Sequence, residues 1–539
     1  MDSLNLFTMN EKTNIVSQKK GPDFQEIVNN TLKRFNFPDE ILSTIEKEKL
    51  LPEGLLYRLH MNYPQYSGIA RNKEVFFDFK KQYAGLKGFR EIVSILEDHG
   101  IAMDYIEERE LFIKIYRFMA TGHVLNSIDW EDFANDSLFQ LVFPQPGMIR
   151  EETVAAYKAA KTEEERKELV DEYIRSNTNP HDGKQQLNKP WFEDEDGELV
   201  ILEGSQHKYP QCQLIFDKTT QSCFAFCTYC FRHAQVRGDE DMFSQGEIAP
   251  VLDYLKQHKE VTDILLTGGD AGLMPYNRLK EYLLPIVEDE ELAHIKTVRI
   301  GTRVLSYNPE MILKEDYTRN LELFKHLIDN GIQVALMAHF STPRELLNLP
   351  SVAATRRLKK YGLTLKSQSP IMNHISLFKD DQGRVDVDRS AQNWIDLGNI
   401  FAMLGIGFHS MYLARPTGEH HYFTVPVAEI DKVFSKIYRS LPSINRPSRY
   451  ITQTSSAGKI SIIGTTEVKG EKVFVLKFNE ARNMEWMDEV FLAKYDEQEN
   501  TVENLEPFEG EKQFFEDELE QIEEKKTEAL SRKMKQQNQ

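Results

Sequence analysis

Apolar and polar positions follow two rhythms along this chain. Between about 23 and 175 the rhythm is helical. FREIVSILEDHG (89–100) and ELFIKIYRFMATG (110–122) repeat apolar residues at helical spacing and close on Gly, so each predicts a helix. IDWEDFANDSLFQLVFPQPG (128–147) ends in a Pro/Gly break, 148–175 reads as a charged helix, and 177–198 as linker and loop. After 205, short β-rich runs alternate with amphipathic helices. The strands are QLIF (213–216), TDILLTGGD (262–270), TVRIGT (297–302), QVALMAHF (333–340), LTLKSQS (363–369) and IGFHSMYL (406–413). The helices between them are 247–258, 278–287, 320–331, 352–362 and 389–405. Such alternation predicts a parallel α/β domain with crossover helices. About six strands suit a partial (β/α)6 barrel, in which chemistry gathers at the carboxyl ends of the strands. Those ends carry Gly268-Gly269-Asp270, Thr302-Arg303, His339 and Gln368-Ser369.

A third part holds a helix (427–441), strands in 449–464 and 472–478 around a Ser/Ala/Gly loop, and a highly charged helical tail with i,i+4 Glu→Lys pairs. The expected division is a loose terminus (1–22), a mainly helical region and linker (23–205), the α/β core (206–426), a C-terminal segment (427–495) and the tail (496–539).

Charge narrows the function classes. With 66 Lys+Arg against 85 Asp+Glu in 539 residues, the net charge of −19 opposes binding to nucleic acid or to an anionic membrane. No apolar run approaches the ~18 residues of a membrane span. The N-terminus has no apolar signal segment, so a cytoplasmic location is expected. Four cysteines in such a chain exclude a disulfide scaffold. All four fall between positions 212 and 230, which points to metal or redox chemistry.

Three of them form Cys223-Phe-Ala-Phe-Cys227-Thr-Tyr-Cys230, a CxxxCxxC triplet. A [4Fe–4S] cluster normally takes four cysteines, so three leave one iron open to a ligand. The amino and carboxyl groups of S-adenosylmethionine can chelate that iron, and the cluster can then pass an electron to the sulfonium. The competing reading is zinc, held by the triplet with His233 or by all four cysteines including Cys212. The aromatic residues Phe224, Phe226 and Tyr229 between the thiols, and the Gly-Gly turn one helix later, favour the cluster. There a backbone free of side chains could approach a bound methionine amino group.

CFAFCTYCFRH, LLTGGDAGL, RIGTR, AHFSTP and SQSPIM, in that order, resemble the radical S-adenosylmethionine aminomutases, of which lysine 2,3-aminomutase is the type member. The resemblance runs from about Trp130 to Ile463. It implies a radical isomerase that uses a [4Fe–4S] cluster on Cys223, Cys227 and Cys230, S-adenosylmethionine, and pyridoxal 5′-phosphate, moving an amino group from the α to the β carbon of an amino acid. It also implies that Lys459, in Ser455-Ser456-Ala457-Gly458-Lys459, is the Schiff-base lysine. Gly268, Gly269, Asp270, His339, Gln368 and Lys208 would contact the cofactors, and Arg232 the substrate α-carboxylate. A flavodoxin or ferredoxin would supply electrons, and a homo-oligomer is expected.

Two positions depart from the lysine-specific pattern. Where those enzymes hold the distal ammonium with two aspartates, this chain aligns Arg415 and Thr452. A cation there repels lysine and suits an acidic side chain. Glutamate or aspartate is therefore the expected substrate. The alternatives are lysine, a radical enzyme without pyridoxal chemistry (the SSAGK loop has one Gly where the family has several), and a non-catalytic zinc protein.

Overall fold

The computed structural model describes residues 37–66, 75–176, 185–194, 197, 199–238 and 243–537, together with 28 and 32. The loose N-terminus (1–22) and part of the 177–198 linker lie outside the described residues.

Two short strands, β1 (Gln82–Ala84) and β2 (Met119–Thr121), pair antiparallel within the helical N-terminal region. The 110–122 segment is therefore not one helix. It is a helix, Ile106–Ile115, followed by β2 and a second helix, Gly122–Ser127. Met119 is diverted to sheet because β1 takes its edge. The charged stretch 148–175 likewise splits into Glu151–Ala159 and Glu163–Ser176. Thr162 and Glu165 cap the second helix reciprocally, at 3.1 and 3.2 Å, so the chain restarts there. A further pair, β3 (Trp191–Glu193) and β4 (Leu199–Ile201), forms inside the expected loop.

The remaining strands make one eleven-stranded sheet in sequential order. They are β5 (Ser205–Tyr209), β6 (Cys212–Phe216), β7 (Asp263–Thr267), β8 (Thr297–Thr302), β9 (Gln333–Ala338), β10 (Thr364–Ile371), β11 (Gly407–Leu413), β12 (Ile451–Thr454), β13 (Gly458–Val468), β14 (Glu471–Ala481) and β15 (Val490–Lys494). From β6 to β12 all pairings are parallel, and the outer pairs are antiparallel. The six strands predicted from 213 to 413 are β6 to β11, and the five intervening helices are present at the expected places. Sequential parallel order requires a crossover after each strand, which those helices supply.

Strand alternation divides the side chains. β8 and β10 alternate strictly between buried and half-buried positions. Of the half-buried set, Arg299, Gly301, Gln368 and Pro370 line a cavity, and β5 also packs beside β14. Helix ends are set locally. In Val387–Leu404 the Asp386 carboxylate accepts from the Asp388 and Arg389 backbone N–H groups, and Gly405 (φ 71°) takes the left-handed turn that stops it. Trp394, fully buried on this helix, anchors the layer between helix and sheet.

The N-terminal region packs over the carboxyl ends of the parallel strands. Its core is aromatic, with Trp130, Phe139 and Phe143 in mutual contact. One link to the α/β part is Glu419, which is buried and accepts hydrogen bonds from Tyr116 (2.7 Å) and Tyr173 (2.6 Å). Burial raises its carboxyl to about 7, against the lowering by Tyr173, Tyr116 and Arg150. His421 lies 3.5 Å away. The neutral acid is the form the fold prefers. Stability from this group is fully present below the ordinary carboxyl range and is lost as pH rises through about 7, by up to about 3 kcal/mol. Thermal melts of Glu419→Gln, which keeps the accepting oxygen, should therefore lose less stability than the parent between pH 5 and pH 8. Identical pH profiles would contradict this.

Candidate active site

The loop 223–230 leaves β6 and is fixed from both sides. The N-terminal region accepts its amides: Phe226 N–H donates to the Met119 carbonyl (2.8 Å) and Thr228 N–H to the Leu141 carbonyl (2.9 Å). Gln82 Nε2 donates to the Phe224 carbonyl (2.9 Å). On the other side the Gly268-Gly269 turn presses against the same loop. Gly269 N–H donates to the Thr220 carbonyl at 2.7 Å. A Cβ on Gly269 would lie 2.5 Å from the Ser222 carbonyl oxygen and 3.1 Å from Cys223 Sγ. Gly268 adopts φ 143°, where other residues are strained.

A cavity of about 370 Å³ opens at this point, within the size range of ligand sites. Cys223, Cys227, Cys230, Arg232, Gly268, Gly269, Asp270, His339, Gln368, Lys208, Arg415 and Lys459 all line it. Of the expected site residues only Thr452 does not; it is buried within β12, between Tyr412 and Ser461, and Thr454 forms the wall there.

Burial raises all three loop thiols. For Cys230 the value is about 12, with Cys227 adding repulsion. Three buried thiols that resist ionisation need a strongly cationic occupant that displaces their protons. The spacing bears on which one. Among the described residues, the one group of His, Cys, Asp and Glu whose ligand atoms lie within 4.8 Å of one another is His207, His258 and Glu260. A single tetrahedral zinc would bring thiolates to roughly 3.8 Å, from a ~2.3 Å Zn–S bond. The three thiols are not all within 4.8 Å of one another, a spacing compatible with a larger cluster. Cys212 is not part of it. It starts β6, beside Asp263, and its Sγ accepts from Arg299 at 2.8 Å. His233 packs its ring against Tyr116 instead.

Asp270 accepts from the Gly272 N–H (2.8 Å) and the Arg303 N–H (2.9 Å), which shapes the turn, and burial raises its carboxyl to about 6. His339 Nε2 meets Tyr229 Oη at 3.0 Å, and burial, then Arg303, hold this imidazole well below its ordinary range.

The opposite part of the cavity is cationic. Lys459 Nζ lies 2.6 Å from the Glu480 carboxylate. Burial opposes its charge, but Tyr412, Tyr209 and Glu480 together hold the ammonium above its ordinary range. Lys208 donates to the Ser455 carbonyl, tying β5 to the SSAGK loop. Burial, then Arg482 and Arg415, hold its amine well below the usual lysine range. Arg482 donates to the Ser456 carbonyl (2.8 Å) and Asn188 Oδ1 (2.6 Å). Glu503 accepts from Ser456 N–H at 2.8 Å. Nearer the thiols, Arg232 and Arg415 flank the Phe231 ring, 5.2 and 4.8 Å from its centre. Burial and then the Arg415 charge push Arg232 down to about 9. Two guanidiniums held together in a low dielectric favour an anion between or beside them.

Glu480, Arg482, Tyr412 and Tyr209 escaped the sequence reading. Glu480 reaches Lys459 through the β13–β14 register, in which the two are direct partners. A hairpin register is not visible in a linear string unless its turn and bulges are known.

No family model matches the chain. Three curated proteins show where its likeness lies. A putative L-lysine 2,3-aminomutase of Aquifex aeolicus is 28% identical over 273 residues, covering 50% of this chain and 67% of that protein. The glutamate 2,3-aminomutase of Clostridioides difficile is 28% identical over 169 residues, 31% of this chain and 37% of its own. The L-lysine 2,3-aminomutase of Clostridium subterminale is 29% identical over 190 residues, 35% of this chain and 42% of its own. The chain thus matches less than half the length of the latter two. A solved radical SAM methyltransferase from Sphaerobacter thermophilus aligns with 68% of this chain and 93% of its own at a TM-score of 0.32 and 14% identity, too loose a likeness to argue from. The relatives are radical SAM isomerases by class. This chain is a homologue of the lysine and glutamate 2,3-aminomutases.

Chain reconstituted anaerobically with iron and sulfide should lose bound iron in Cys223→Ala, Cys227→Ala and Cys230→Ala, but keep it in Cys212→Ala. Equal loss in the Cys212 variant would place that thiol among the ligands. Gly269→Ala, which drives a methyl group into the cysteine loop, should also lower iron per chain.

Proposed function

We propose that this chain is a pyridoxal phosphate-dependent radical S-adenosylmethionine 2,3-aminomutase acting on an acidic amino acid, glutamate or aspartate. The observation that carries the reading is the cavity itself. It joins a three-thiol loop, a Gly-Gly turn, a lysine with cations around it and a pair of arginines in one buried space. We further propose that β6 to β11 and their helices form a partial (β/α)6 barrel of radical SAM type, with the N-terminal helices as its cover and 427–495 as the pyridoxal-lysine segment.

The residues fit each group. Cys223, Cys227 and Cys230 would hold the cluster, and the lack of a fourth cysteine ligand leaves one iron for S-adenosylmethionine beside Gly268, Gly269 and Asp270. Lys459 would carry pyridoxal phosphate, with Lys208 and Arg482 beside the phosphate. When bound, the cluster and S-adenosylmethionine supply a carbon-centred radical, and pyridoxal supplies a π-system that carries the migrating nitrogen.

The chain's own residues do the rest. Glu480 accepts a proton from Lys459 Nζ, which must be neutral to act as an amine. Tyr209, its ring centre 5.3 Å from Lys459 Nζ, packs beside that amine. Arg232 takes the substrate α-carboxylate and Arg415 its side-chain carboxylate, so the chain between them is fixed at both ends. That clamp presents one β-hydrogen and excludes rotation about the Cα–Cβ bond.

The lysine reading has one observation in its favour: Glu480 and Glu503 line the same cavity and could meet an ammonium. Both already have partners, in Lys459 and Ser456. Anaerobic incubation with S-adenosylmethionine, pyridoxal phosphate, a one-electron reductant and each amino acid separates the two. The acidic reading expects a β-amino product from glutamate or aspartate. Arg415→Ala should weaken kcat/KM for that substrate by about two orders of magnitude, the ~2–3 kcal/mol of a charge-assisted pair. Turnover of lysine alone would overturn it. Lys459→Ala should abolish the absorbance of bound pyridoxal phosphate that borohydride fixes to the wild-type chain. If Lys208→Ala abolishes it and Lys459→Ala does not, the amine is Lys208.

A further inference from the structure

We infer that Tyr307 is a positioning residue for the iron–sulfur centre, donating a hydrogen bond to the Cys227 sulfur that raises the centre's reduction potential. The inference rests on the reading of Cys227 as a cluster ligand.

Tyr307 ends a short helix after β8, and its ring is fully buried. Its backbone is fixed on two sides. Its N–H donates to the Arg303 carbonyl at 2.9 Å, and its own carbonyl accepts from Thr121 Oγ1 of the N-terminal region. The hydroxyl that results lies 3.0 Å from Cys227 Sγ.

A cysteine sulfur that ligates a cluster carries no proton, so Tyr307 is the donor of that bond. Arg303 is a cation that can only donate, and its Nη1 donates to the same Tyr307 oxygen. Arg303 fills one lone pair of the phenol oxygen and leaves its single proton for Sγ. Arg303 is held in turn: its guanidinium lies over the Tyr307 ring at 4.8 Å, its Nη2 reaches Ser341 Oγ at 3.2 Å, and Glu345, wholly buried, stands 3.5 Å from it. This is a relay from a buried carboxylate through a guanidinium and a phenol to a sulfur.

Reduction of the cluster by a one-electron reductant adds one negative charge, shared with its cysteine sulfurs. A donor aimed at one sulfur stabilises the reduced form more than the oxidised form, so the potential rises. The centre becomes easier to charge and a correspondingly milder donor to the sulfonium.

The test is a dithionite-mediated redox titration, followed by electron paramagnetic resonance, on reconstituted full-length chain. Tyr307→Phe removes only the hydroxyl. It should load the same iron and sulfide as the parent and show a midpoint lower by about 59 mV, a tenfold change in a one-electron equilibrium. A fully loaded variant with an unchanged or higher midpoint overturns the inference. Glu345→Gln provides the opposite sign and covers the case in which Tyr307→Phe does not fold. It leaves more of the Arg303 charge uncompensated, and the midpoint should rise; a fall or no change counts against the relay. A wild-type chain that binds zinc and no sulfide would instead remove the cluster reading itself, which metal analysis of the parent reveals before any titration.

Discussion

The site depends on how the cysteine loop is held. A loop with three thiols spaced by three and two residues could close on one small ion if it were free to. Here its amides are tied to Met119 and Leu141 in the N-terminal region, and the Gly268-Gly269 turn presses on it from the sheet. Backbone hydrogen bonds in a buried setting are stiff restraints, because leaving any of them unmade strands a polar group away from water. The thiols therefore stay apart, facing the cavity rather than one another. A loop held in this way is compatible with a larger cluster.

The cavity is electrically graded. At one end burial disfavours thiolates, so a multiply charged metal centre is the occupant that relieves the cost. At the other, Lys208, Lys459, Arg482 and Arg415 gather in a chain whose net charge is −19. Such local inversion of the overall charge is what an anionic cofactor and an anionic substrate require. The two lysines differ in state. Tyr412, Tyr209 and Glu480 hold Lys459 protonated against its burial, whereas burial and then the surrounding guanidiniums press Lys208 toward its neutral form. The carboxylate beside Lys459 is within 2.6 Å of its ammonium, placed to accept a proton from it.

Much of this was legible in the sequence, for definite reasons. β6 to β11 and their helices announce themselves because each strand is short, apolar and followed by a full amphipathic helix. The cysteine triplet is a contiguous motif that spacing picks out, the Gly-Gly turn gains meaning from following it, and Lys459 was implied by the family resemblance. The N-terminal region was less transparent. Met119–Thr121 looks helical in isolation, and only its pairing with β1 and its bond to the cysteine loop make it a strand. Glu480, Arg482 and Tyr307 could not be read at all, since each reaches the site through a register or a tertiary contact. Thr452 shows the converse limit: it lies buried within β12, and Thr454 of the same strand is the residue on the cavity wall.

The account stands on an iron with a free coordination position beside Gly268 and Gly269. The most direct measurement is the electron paramagnetic resonance spectrum of the reduced, reconstituted chain before and after S-adenosylmethionine is added. A change in the g values of a [4Fe–4S] signal is the predicted result, because the nucleotide's amino and carboxyl groups bind the open iron. A spectrum that S-adenosylmethionine leaves unaltered at saturating concentration would contradict it.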